Sequence, residues 1–131
     1  MGTRSLTIVY NDDSARPVVN MYRQYDGYPS GHGVELARFL NSKTLVNGIP
    51  MDANRNTIAN GMGCIAASMI GQFKVGAGNI YLYPTDSRDC GQDYEYHVKK
   101  DSVTVFEAFR QANTIFHGTW EQFGEFCKSD K

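Results

Sequence analysis

YRQYDGYPSGHG, residues 22–33, is where an extended pattern stops and a helical one starts. Before it, residues 6–10 (LTIVY) and 17–25 (PVVNMYRQY) are rich in β-branched and aromatic side chains. The polar segment 11–16 (NDDSAR) separates them, so the pattern predicts a hairpin. Asp26-Gly27 is a turn pair, in which Gly tolerates positive φ and Asp can bond the backbone ahead of it. Pro29 excludes helix at Tyr28, which leaves Ser30 as the expected N-cap of a helix over 33–43. Val34, Leu36, Ala37 and Leu40 make that helix's apolar stripe, with Phe39 at its edge.

Residues 46–60 carry no clean period and are rich in Asn, which reads as a long loop. Residues 61–73 return to helical spacing through Met62, Ile65, Met69 and Phe73. Their other side is small (Gly63, Cys64, Ala67, Gly71), so this helix is expected to be clasped on both faces. Strand patterns follow at 79–83, 94–98 and 102–109, and Thr119 is placed to cap a last helix over 120–128. The order β-β-α-α-β-β-β-α over 1–131, with no repeat or linker, predicts a single α+β domain. Its sheet is expected to be mostly antiparallel, of about five strands, with helices packed on one face.

Composition narrows the function classes. Thirteen basic and fourteen acidic residues give a net charge of −1, and no basic run exceeds Lys99-Lys100. The basic footprint of non-specific nucleic-acid binding is therefore missing from the sequence. Cys64, Cys90 and Cys127 contain no CxxC pair. No apolar leader follows Met1, and the apolar run 64–73 is too short to span a bilayer. The expectation is a soluble cytoplasmic protein with reduced thiols and no membrane partner.

Ser30-Gly-His-Gly33 at a helix start offers free backbone N–H groups to an anion, and Arg23 could add a guanidinium. The competing reading is a turn whose glycines only satisfy backbone geometry. Asp26 and His32 across the turn suggest a carboxylate–imidazole pair, against a turn cap beside a solvated histidine. His32, His97 and His117 have no metal-ligand spacing, so neither metal nor cofactor is expected. Tyr94 and Tyr96 alternate with Glu95 and His97, as Tyr81 and Tyr83 do with Ile80 and Leu82. If those strands pair, the tyrosines form a platform for rings, flanked by Arg23 and Tyr25, or simply a sheet or dimer contact.

Residues 22–40 (YRQYDGYPSGHGVELARFL) resemble a family of small, mostly uncharacterised proteins of bacteriophages and bacteria. The shared segment is Y-x-x-[YFW]-D-G-Y-P-x-G-x-G followed by a Leu-rich helix. Tyr22, Tyr25, Asp26, Gly27, Tyr28, Pro29, Gly31 and Gly33 match it. GMGCIAA (61–67), NIYLYP (79–84) and YEYHV (94–98) look similar to the more closely related members. The resemblance implies a phage or bacterial accessory protein, acting in the host cytoplasm if phage-encoded, and supplies no catalytic residue.

Three functional expectations follow. The first is a non-enzymatic module that binds a small anionic or nucleotide-like ligand through Arg23, Tyr25, Asp26, Tyr28, Gly31, His32, Gly33 and Tyr94. The second is a homodimer joined through a tyrosine-rich sheet face. The third is a hydrolase or transferase, which requires Asp26 and His32 to converge with Glu95 and His97.

Overall fold

The computed structural model describes residues 2–108 and 113–130. In chain order these form β1 (Ser5–Tyr10), β2 (Pro17–Arg23), a π-helical turn (Pro29–Gly33), α1 (Val34–Asn41), β3 (Thr44–Val46) and β4 (Ile58–Asn60). Then come α2 (Gly61–Phe73), β5 (Ile80–Tyr83), β6 (Tyr94–Lys99), β7 (Ser102–Glu107), β8 (Asn113–Gly118) and α3 (Trp120–Ser129). The main sheet has six strands in the order β5-β2-β1-β6-β7-β8, and β3 pairs with β4 in a small separate sheet. Only β1 and β6 run parallel in the main sheet, so the domain is α+β with a mostly antiparallel sheet.

Alternation along β1 sorts the two faces. Ser5, Thr7 and Val9 point one way, aligned with Arg23, Met21 and Val19 on β2 and with Tyr94, Tyr96 and Val98 on β6. All three helices pack on this face. Leu36 and Leu40 of α1, Met62 and Met69 of α2 and Phe123 of α3 are fully buried in its core. Burying a side chain of that size is worth about 1.5–3 kcal/mol, so the helical stripes hold this layer together. Leu6, Ile8 and Tyr22 point the other way into a smaller cluster with Tyr10 and Cys90. The connection from β5 to β6 passes across that far face, where Asn20 Nδ2 donates to the carbonyls of Pro84 (3.1 Å) and Ser87 (3.0 Å).

Several sequence readings change. β8 is a sixth strand; a register shift between Val105 and Phe106 in the β7–β8 ladder breaks the alternation that would have announced it. Phe109, at the end of the expected strand 102–109, lies outside the described residues. The loop 46–60 is closed by the β3–β4 pair, with Thr44 opposite Ile58. Helix α2 is not clasped on both sides, because Gly63 and Gly71 face open space. Its N-terminus is capped from a distance by Asp12, whose Oδ1 accepts the Met62 N–H at 3.0 Å. Thr119 does cap α3, in a reciprocal box with Gln122 (3.1 and 2.9 Å).

Helix α3 closes on the start of α1 at Gly33, where an added Cβ would sit 2.7 Å from the buried Cys127 Sγ. Gly33→Ala is therefore expected to lower unfolding free energy by about 1–3 kcal/mol in urea titrations. Adding Cys127→Ala should recover part of that loss by emptying the same space.

Candidate functional site

The chain leaves β2 at Arg23 and must turn back over the sheet to start α1. Asp26 takes the left-handed backbone at φ 60, not Gly27 as the sequence suggests. Gly27 is needed for close approach instead, since a Cβ there would lie 2.9 Å from the Ser5 backbone nitrogen. The Asp26 carbonyl accepts the His32 N–H at 2.8 Å, while the Asp26 carboxylate takes the Tyr28 hydroxyl at 3.4 Å. Asp26 and His32 thus meet through the backbone and form no carboxylate–imidazole pair.

His32 lies fully buried between α1 and the sheet. Its Nδ1 faces Arg23 Nη1 at 3.2 Å, and a guanidinium only donates, so Nδ1 accepts. The ring proton is then on Nε2, which donates to Thr7 Oγ1 at 2.7 Å. Phe73 and Tyr96 meet the ring edge-on at centroid distances of 5.2 and 5.1 Å. Burial, and then the Arg23 charge, press the imidazole down from an ordinary 6.5 to about 3. His32 is a neutral structural link at physiological pH, not an acid–base group.

The expected anion nest at residues 30–33 is already satisfied by the protein. Gly31 N–H donates to the Tyr28 carbonyl at 2.9 Å, and Ser30 N–H donates to Asp130 Oδ2 at 3.1 Å. The tyrosine platform does not form either, because β2 and β1 stand between β5 and β6. Tyr94 and Tyr96 face the helices, whereas Tyr81 and Tyr83 face the other way against Tyr22. Tyr25 and Tyr28 are solvent-exposed at 51% and 37%. Glu95 and His97 occupy the far face, so the sheet separates them from Asp26 and His32, and the four do not share a site. Among the described residues no three metal-ligating groups gather, and burial, helped by Asp130, pushes the Cys127 thiol up to about 12.

Of the ligand-binding and catalytic residues expected from the sequence, Arg23 alone lines a cleft of about 430 Å³ between α1, the end of α2 and the start of β5. Arg23 is 8% exposed. Its Nε donates to the Tyr25 carbonyl at 2.7 Å, and its Nη1 and Nη2 reach the two Glu35 oxygens, each at 3.3 Å. The Glu35 side chain is half exposed, so it can leave that position without unfolding α1. Arg38 and Lys43 also line the cleft, with Phe39 and Phe73 as its apolar wall. Glu35, Arg38 and Ser42 were not singled out from sequence. Their spacing of three and four along the polar side of α1 was the available signal.

No family model, curated protein or solved structure matches this chain. No helix among the described residues is long and apolar enough to cross a membrane.

Because the His32 pKa is depressed on folding, the unfolded chain binds the extra proton as pH falls below about 6.5. Stability is then lost progressively toward the folded value. Urea midpoints should fall between about pH 6.5 and 5 in the wild type and stay flatter in His32→Gln, by up to about 1.4 kcal/mol per pH unit. Equal slopes would contradict a neutral His32.

Proposed function

We propose that the Arg23 cleft is a non-catalytic binding site for a small anionic, nucleotide-like ligand. The ligand enters the Arg23 cleft and does not sit on the backbone of residues 30–33. The observation that carries this reading is the charge arrangement of the cleft. Arg23 forms the floor, Arg38 and Lys43 add two more cations, and Glu35 is the one acid among its lining residues. A carboxylate set against both terminal nitrogens of a guanidinium occupies the place a phosphate or ligand carboxylate would take. Glu35 is thus an internal stand-in for the ligand's anion. Phe39 and Phe73 offer the apolar wall on which a ring would rest, and the cleft's volume suits a small molecule.

Nucleotides, sugar phosphates and pyrophosphate should raise the melting temperature of the pure protein, since a ligand at a hundred times its Kd adds about 2.7 kcal/mol. By titration calorimetry, Arg38→Ala should weaken binding about tenfold while shifting stability by less than about 0.5 kcal/mol, because Arg38 is exposed. Glu35→Gln should tighten binding by freeing the guanidinium. A flat response to the whole panel defeats the reading.

A second reading rests on a different observation. β5 is the outer strand beside β2, and Leu82 (56%), Tyr81 (44%) and nearby Val75 (84%) are exposed. An apolar outer edge of this kind pairs readily with a second copy. Light scattering at micromolar concentration should then give a dimer that Leu82→Glu converts to a monomer. A monomeric wild type excludes it.

A further inference from the structure

The far face of the sheet carries a polar cluster that the cleft does not use. Tyr10 Oη lies 2.6 Å from His97 Nδ1, and His97 Nε2 lies 2.9 Å from Glu95 Oε1. Glu95 Oε2 accepts a further hydrogen bond from Gln92 Nε2 at 2.9 Å, and Arg88 Nε stands 4.0 Å from Oε1. We propose that Tyr10, His97 and Glu95 form a nucleophilic site in which Tyr10 attacks the carbonyl carbon of an activated ester.

The directions of the hydrogen bonds follow from the chemistry. Burial raises the Glu95 carboxyl, but hydrogen bonds from His97 and Gln92, with the Arg88 charge, outweigh it and hold the group below its ordinary value. Glu95 is therefore a carboxylate and accepts from Nε2–H. In the neutral imidazole, Nδ1 is then left with its lone pair toward Tyr10, whose hydroxyl donates to it. Nucleophile, base and a third group that orients the base stand in one hydrogen-bonded line, which is the signature of an activated nucleophile.

The cluster is built rather than incidental. Glu95 and His97 side chains are each only 14% exposed. Gln92, which steadies Glu95, is itself anchored through the Arg88 carbonyl (2.8 Å) and the Cys90 N–H (3.0 Å). Phe106 stands edge-on to His97 at 5.0 Å. Lys99 Nζ sits 5.1 Å over the Tyr10 ring in a cation–π contact. Arg88 Nη1 donates to the carbonyls of Thr85 (2.7 Å) and Ser87 (2.9 Å), and Lys99 is the cation set against the Tyr10 ring. That suits the single negative charge of an acyl-transfer intermediate better than a phosphoryl dianion.

In the first half-reaction the Tyr10 O–H proton passes to His97 Nδ1 as Oη bonds to the carbonyl carbon. Collapse of the tetrahedral adduct breaks the bond to the leaving oxygen, which takes the proton back from His97. Acyl-Tyr10 and an alcohol result. A water then gives its proton to His97 and adds to the aryl ester, and the departing Tyr10 phenolate recovers that proton. The sum is ester plus water to acid plus alcohol.

The test uses p-nitrophenyl acetate as the acyl donor on the intact protein, followed by peptide mass spectrometry. Tyr10 should be acetylated at least about tenfold faster than the exposed Tyr25, with a matching burst of p-nitrophenolate. Tyr10→Phe should remove the burst, and His97→Gln should slow it by at least about tenfold in protein that circular dichroism shows to be folded. Acetylation of Tyr10 no faster than that of Tyr25 overturns the proposal without recourse to any variant. A folded His97→Gln protein that reacts at the wild-type rate overturns it equally.

Discussion

The buried contact between His32 and Arg23 is the constraint from which the rest of the helical layer takes its position. A guanidinium 8% exposed needs acceptors, and at this point the chain supplies a neutral imidazole, a backbone carbonyl and a carboxylate. To bring the imidazole there, the backbone must reverse within a few residues of Arg23. That explains the left-handed Asp26, the close approach of Gly27 to β1 and the π-helical turn ahead of α1. Through Thr7 the same ring is tied to β1, so turn, sheet and helix share one hydrogen-bonded line. Removing one member would leave a buried charge or a buried polar atom without a partner, a cost of several kcal/mol.

The two faces of the sheet divide the chemistry. On the helical face, polar groups position Arg23 in the lining of a cleft, with Glu35 set against both of its terminal nitrogens. On the far face, the connection between β5 and β6 supports Glu95 through Gln92 and leaves Tyr10 and His97 half-buried at its margin. β1 contributes to both faces by simple alternation, Thr7 to one and Tyr10 to the other.

Much of the fold was legible because its signals are local. The first hairpin, the apolar stripes of α1 and α2, the Thr119 cap and helices on one face of a mostly antiparallel sheet all follow from periodicity and capping chemistry. What failed to show was non-local. Nothing near residues 79–98 says that β2 and β1 lie between β5 and β6, so the tyrosines of those strands were read onto one face when they occupy two. β8 was hidden by the register shift at Phe106. The role of His32 was inverted for a related reason. In the sequence a histidine between glycines after a turn looks solvated, and only the packing of α1 and α2 over it makes it buried and neutral. Arg23 was singled out from the sequence, and it lines the cleft. The helix residues that complete its cleft were not, because polar residues on a helix face ordinarily meet only water.

The state of the His32 ring tests this account most directly. Nitrogen-15 spectra of the imidazoles, recorded from pH 7 down to pH 4, report both tautomer and protonation. The account predicts a neutral His32 with its proton on Nε2 throughout that range, since its pKa is pressed to about 3. A ring that protonates near 6.5, or one that carries its proton on Nδ1 at neutral pH, would contradict the Arg23–His32 link and the placement of Arg23 that depends on it.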